Sequence, residues 1–388
     1  MRDALIVGND LVIGTYGRGI WILDDISPLR QITPETWAGD VHLFAPGGAV
    51  RVHRNTNQDT PFPPEVPHAD NPPDGAVIYY YLKDRPAGEV ALDVLDAAGR
   101  TVRHLSSVAP APVPEAARPP EPSFWIGQPY AIPAASGINR AVWDLRSDDP
   151  PAFSHGFEIN ANPGGTPASP QGPLVQPGTY TVRLTVGGVT RSAAVTVRND
   201  PRSPASAAAL AAQAEMQAGI VRAMRTTWEG FAQAEAARAA AAGDSALRAR
   251  ITAVAGDTGS RGGPRFFRRG GPQAAPTFVS LNGALARALN AQDNADQRPT
   301  EAMLAGWRQL CEEVGGVARR WNAVRASLGA AVPGRPLAVP GCGGAPAGRH
   351  PAGAPGGAGA RPGNVAAPQR DADPAAGDCD ADDPDCSH

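Results

Sequence analysis

Asp24 and Asp25 form a carboxylate pair, a type of group that suits catalysis. Two carboxyl groups flanking a scissile bond are what glycoside hydrolysis needs. Adjacent residues on a strand leave opposite faces, so this pair cannot meet one substrate; satisfying a strand end and turn is the better reading. Tyr16 and Arg18 lie just upstream, in the run GTYGRG at 14–19. In a polar channel Arg18 would hold an anionic group; pairing with a neighbouring acid is its plainer, structural role. The run YYY at 79–81 must expose at least one ring, because alternate residues leave opposite faces, and Tyr80 is the ring assigned to a binding surface. Arg18, Tyr16 and Tyr80 are thus the candidate binding residues. Trp143, Tyr180, Trp228, Trp307 and Trp321 are of types that stack on sugars, yet each falls on an apolar face, where core packing is the default.

Other motifs fall short of a site. RGGPRFFRRGG at 261–271 mixes arginine, glycine and aromatics as single-strand nucleic-acid binders do, but it occurs once and reads as a loop between helices. DCDADDPD at 378–385 alternates acids like a calcium loop and lacks the glycine and glutamate such a loop requires. Lys83 has no glycine-rich loop before it, and GTYGRG has the wrong glycine spacing for a dinucleotide. The histidines are scattered, with none in metal-ligand pairs. No catalytic residue, metal or cofactor is assigned. Of the cysteines, Cys311, Cys342, Cys379 and Cys386, the last two could pair in an oxidising compartment; unpaired, unstructured thiols are the reading preferred for them.

Two hairpins stand out among the elements that would position these residues. At 10–26 two short apolar runs flank the glycine-rich turn. A lone hairpin is marginal in water, so this one must belong to a larger sheet. From Val77 onward, short alternating runs with turns between them read as an antiparallel β-sandwich. Its cleanest hairpin sets Tyr180, Val182, Leu184 and Val186 on one face, turns at Gly187-Gly188, and returns through Val195 and Val197. After Pro204 the period becomes helical. Leu210, Ala214, Gln217, Val221, Met224, Trp228 and Phe231 form one stripe, and Met303, Trp307, Leu310, Val314, Val317, Trp321, Val324 and Leu328 another. Pro299 suits the first turn of the second helix. A shorter helix near Leu281, Leu285 and Leu289 completes a small bundle. The domains expected are 1–45, the region of the N-terminal hairpin; 46–76, a linker; 77–199, the sandwich; 204–331, the helical module; and 332–388, a disordered Gly/Pro/Ala/Asp tail with almost nothing to bury.

The 388 residues carry a net charge of -3, which gives no global pull toward nucleic acid or anionic membrane. Lys83 is the single lysine among 35 basic residues, a ratio that points to coding bias and discounts arginine clusters. No apolar run is long enough for a membrane span. The first residues lack the apolar core of a secretory signal.

DLVIGTYGRGIWILDDISPLR at 10–30 resembles the end of the propeller in large bacterial proteins of the sortilin-like group, usually described as glycosyl hydrolases with bacterial-neuraminidase-type repeats. The family pattern has His where this chain has Tyr16. YYYLKDRPAGEV at 79–90, GINRAVWDL at 137–145 and GPLVQPGTYTVRL at 172–184 are similar to the module that follows the propeller, which is like the Ig-like domain of the flagellar hook-capping protein. SLNG at 280–283 and the helical stretch after it resemble the family's C-terminal part. The resemblance covers 1–330 and is weaker beyond 205. The repeat signature Ser-x-Asp-x-Gly-x-Thr-Trp occurs nowhere, so on this reading almost the whole propeller is missing. The resemblance implies a multi-domain β-plus-α protein: a terminal propeller hairpin, an Ig-like sandwich and a helical bundle. It implies secretion to the periplasm or cell surface, and a chain that is a fragment. The function expected is a non-catalytic accessory or interaction segment, with the missing blades and a protein or polysaccharide as partners. The alternative is a part of a glycosyl hydrolase, or peptidase-like hydrolase, whose active site lies on the missing propeller.

Overall fold

The structure, a computed structural model, describes residues 2–53, 72–110, 123–153, 164–167, 170–241, 243–258, 275–328 and 334–342. All lie in one compact unit, Met1–Ala345. The Arg-Gly run at 261–271, the acidic run at 378–385, Cys379 and Cys386 lie outside the described residues, as does most of the expected tail. The described residues form a mixed α/β molecule of three sheets and five helices.

The first sheet is small. β1 (Asp3–Val7), β2 (Asp10–Gly14) and β3 (Ile20–Leu23) form an antiparallel meander in that order. The expected hairpin is there, with Ile13 opposite Trp21 and Val12 opposite Ile22. It has a third strand that the sequence reading did not assign, since Leu5 pairs with Val12 and Ile6 with Leu11.

Two larger sheets share one core. β5 (Ala49–Arg51), β7 (Val90–Leu95), β8 (Thr101–Ser106), β10 (Gly178–Val186) and β11 (Val189–Asn199) are ordered β5-β11-β10-β7-β8. β4 (Val41–Leu43), β6 (Ala76–Leu82) and β9 (Gly137–Trp143) are ordered β4-β6-β9. All neighbours are antiparallel except β5, which runs parallel to the end of β11. Gly187 and Gly188 make the two-residue β10–β11 turn with φ of 53° and 84°, which a β-carbon would oppose. Alternate residues of β6, β7, β9 and β10 point into the shared core, with Trp143 and Tyr80 fully buried in it.

Two boundaries need correcting. The β core begins at 41, not 77: Val41, Leu43, Phe44 and Ala49 are all buried, and β4 and β5 edge its two sheets. Three-residue strands between prolines and glycines carry too little alternation to be seen in sequence. Residues 334–342, placed in the tail, instead lie on the helices with Leu337 buried.

Helix α1 (Pro34–Ala38) precedes β4. The helical part comprises α2 (Ala207–Ala240), α3 (Ser245–Ala255), α4 (Phe278–Gln292) and α5 (Glu301–Ala326), around a core that includes Met224, Phe278, Leu285 and Trp321. α2 packs on α3, α4 and α5. α3 was not foreseen, and Pro299 precedes α5 rather than sitting in its first turn; the Thr300 side chain caps that helix by accepting from Met303 N. Polar contacts hold α4's C-terminal end to the β core. Arg146 Nη2 donates to Asp293 Oδ2 at 2.6 Å, and Asp296 receives Arg51 and His53.

Candidate interaction surface

β1, β2 and β3 place apolar side chains on both sides of one sheet. The registers put Ala4, Ile6, Leu11, Ile13, Trp21 and Leu23 on one face. Leu5, Val7, Val12, Ile20 and Ile22 fill the other, beside Asp3 and Asp10. Leu5, Ile6, Val7, Ile20, Trp21, Ile22 and Leu23 are each more than half exposed. Among the described residues no other strand or helix is packed extensively on this sheet. Antiparallel sheets in water ordinarily have one polar face. Leu5, Ile6 and Val7 were missed at the sequence level; the unbroken apolar run at 4–7 was the signal that could have found them.

The sequence candidates are not brought together. Tyr16 is 78% exposed in the β2–β3 turn, with the Arg2 guanidinium 4.9 Å from its ring centre. Arg18 sits in the same turn, where its carbonyl accepts from Trp21 Nε1 at 3.2 Å. The assignment of Tyr80 to a binding surface is corrected: its ring is fully buried and its hydroxyl donates to the Pro133 carbonyl. Burial, with Tyr130 nearby, pushes that hydroxyl far above the usual phenol range. Tyr79 and Tyr81 are the half-exposed rings, and Trp37 meets Tyr81 edge-on at 4.9 Å. Asp24 and Asp25 lie beyond the end of β3. Asp25 has a φ of 54°, accepts from Ser27 N at 3.1 Å, and donates its own N–H to Asp10 Oδ1. Of the tryptophans, Trp143, Trp307 and Trp321 are buried, whereas Trp228 is 38% exposed and stacks on Phe153 at 4.5 Å.

One polar cluster resembles catalytic parts and fails on geometry. On the outer face of the five-stranded sheet, His104 Nδ1 lies 2.8 Å from Asp93 Oδ1, and Arg183 donates to Asp93 Oδ2 at 2.9 Å. Burial works to raise the Asp93 carboxyl, but the hydrogen bonds and charges of His104 and Arg183 outweigh it and hold it below the usual range. The nearby Ser106 hydroxyl donates to Glu89, not to His104. A nucleophile needs its base within hydrogen-bond reach, and His104 stands half exposed on an open sheet face. Among the described residues no cluster of His, Cys, Asp or Glu is placed to hold a metal ion, and no helix is long and apolar enough to cross a membrane.

One pairing was not expected from the sequence. Cys311 and Cys342 form a disulfide between α5 and the segment 334–342. Thirty-one residues separate them, with no local motif to mark the pair. Comparison with protein-family models, with curated proteins and with solved structures finds no match.

Proposed function

We propose that this chain is a non-catalytic interaction and structural segment of a large secreted protein of the sortilin-like propeller group. β1–β3 acts as a blade-type sheet, β4–β11 as an Ig-like sandwich, and the helices as an accessory module. The observation that carries this reading is the apolar character of both exposed faces of the small sheet. A single partner covers one face and leaves the other in water, whereas sheets stacked on both sides, as in a propeller, cover both.

Further features agree. The orders β4-β6-β9 and β5-β11-β10-β7-β8, with the parallel β5–β11 edge, suit an Ig-like module. The Tyr180 hydroxyl donates to the Gln176 carbonyl at 2.8 Å, near the start of β10, as in a tyrosine corner. The Cys311–Cys342 disulfide suits an oxidising compartment.

Light scattering tests the reading. The chain should associate without limit as concentration rises, because both faces and both edges of the small sheet seek partners. Removing residues 2–25 should restore a monomer. A full-length chain that stays monomeric at tens of micromolar would contradict the proposal.

A further inference from the structure

Residues 334–342 cross the helical part as an extended strap. Its grip on α2 and α5 is largely to main chain. Leu337 N donates to Asn322 Oδ1 at 2.9 Å, and Asn322 Nδ2 returns a bond to Leu337 O at 3.0 Å. Gln233 Nε2 donates to Arg335 O at 3.0 Å, while Gln233 Oε1 is held by Trp321 Nε1. One side chain, Leu337, is buried. Val339 passes close over α5, where a β-carbon on Gly315 would come within 3.2 Å of it. Gly334, Arg335, Pro336, Ala338 and Val339 are exposed. Main-chain hydrogen bonds plus one apolar pocket are how grooves hold extended peptides. The strap lies on the helices with contacts of that kind, and Cys342 at its far end is bonded to the fully buried Cys311.

We propose that Cys311–Cys342 is a redox latch on this groove. A dithiol reductant reaches the partly exposed Cys342 first. Its thiolate bonds to Cys342 Sγ, the Cys311–Cys342 bond breaks, and Cys311 leaves as a thiolate that takes up a proton. The second thiol resolves the mixed disulfide, so the protein gains two electrons and two protons and the dithiol becomes a cyclic disulfide. The strap is then held by one leucine and a few backbone bonds. It lifts, and the groove accepts an extended peptide with one apolar anchor. The proposal does not depend on the propeller reading, because the small sheet takes no part in it.

Hydrogen exchange on the full chain, with Cys379→Ser and Cys386→Ser so that only this bond responds, tests the latch. Dithiothreitol should speed exchange at Leu337 by roughly tenfold or more while helical circular dichroism is kept, which is the signature of local opening. A fluorescein-labelled peptide of residues 334–341 should bind the reduced chain and not the oxidised one. Leu337→Asp should admit the peptide with the disulfide intact, which keeps the test independent of reduction. Unchanged exchange at Leu337, collapse of the helical signal on reduction, or peptide binding indifferent to reduction would each overturn the latch and leave the bond a staple.

Discussion

The small sheet and the β core are both built from strands with apolar faces, yet only the core hides them. Along β10, Tyr180, Val182, Leu184 and Val186 face inward while Thr181 and Arg183 are half exposed on the other side. Along β2, Leu11, Val12 and Ile13 follow one another without a polar break, and β3 repeats this with Ile20, Trp21, Ile22 and Leu23. Alternation encodes one neighbour, and the core finds it in its own chain. Continuous apolarity encodes two neighbours, and the described chain supplies neither. An element can thus be locally well formed and still lack the packing that its composition calls for.

The sharpest way to break this contrast is to cut at its boundary. Removing residues 2–25 takes away only the exposed sheet and should leave the thermal midpoint of the remainder unchanged. Removing residues 2–45 also takes Val41, Leu43 and Phe44, all buried. Each such side chain is worth about 1.5–3 kcal/mol, so the longer deletion should lose several kcal/mol or the cooperative transition itself. Circular dichroism melts of the two shortened chains decide it. Equal melts would place the boundary beyond 45.

Trp143→Ala is the next largest. Its ring is fully buried, its Nε1 donates to Arg146 O at 2.9 Å, and it meets Tyr180 edge-on at 5.3 Å. Emptying that site should cost about 3–5 kcal/mol in a denaturant titration. The corresponding loss at Trp21, which is 63% exposed, should be close to zero.

What the sequence made legible follows the range of the contacts. The β2–β3 and β10–β11 hairpins and the stripe of α5 are local patterns, and Trp307, Val314, Val317, Trp321 and Val324 are buried as the spacing requires. β5 was hidden because its partner, the end of β11, lies nearly 150 residues on and fixes it by pairing rather than by any pattern of its own. Cys311–Cys342 was hidden for the same reason. Tyr80 failed differently. Three tyrosines in a row give no parity by themselves; Ile78 and Leu82, both buried, set it and turn Tyr80 inward. As for the surface itself, the hairpin half was readable at 10–26, but β1 was not connected to it.

The seam between the β core and the helices offers a smaller, pH-dependent effect. Asp296 and Arg51 are almost fully buried together, with His53 Nε2 2.6 Å from the same carboxyl oxygen. Asp296→Asn leaves the Arg51 charge without its counter-ion, at a cost near the low end of about 3–5 kcal/mol because the adjoining His53 side chain is 20% exposed. Burial works to raise the Asp296 carboxyl, while the bonds and charges of His53 and Arg51 outweigh it, so its pKa lies below the ordinary value. A carboxyl depressed on folding stabilises above its unfolded pKa, about 3.9, and that contribution is lost as pH falls through the folded value. Stability measured against pH should therefore show the wild type and Asp296→Asn apart at neutral pH and converging in acid below about pH 4. Parallel curves would mean that the carboxylate charge does not hold the seam.

The smallest expected change in stability is also the one that isolates the small sheet. Trp21→Thr with Ile22→Thr replaces an aromatic and a β-branched residue by β-branched threonine, so the strand's own preference for an extended backbone is retained. Both side chains are well over half exposed, and they lie on opposite faces of β3. Substitutions at such positions change folding stability by about 0.5 kcal/mol or less. Each replacement nevertheless removes a large apolar group from one of the two faces offered to neighbours. Association should fall sharply while the melt of the rest of the chain stays where it was. Sedimentation velocity beside a thermal melt separates the two effects. If the double variant associates like the wild type, the faces are not what drives association, and the edges of β1 and β3 are left to account for it. If instead the melt drops by several kcal/mol, Trp21 and Ile22 are packed within this chain after all, and the contrast between the two β regions disappears.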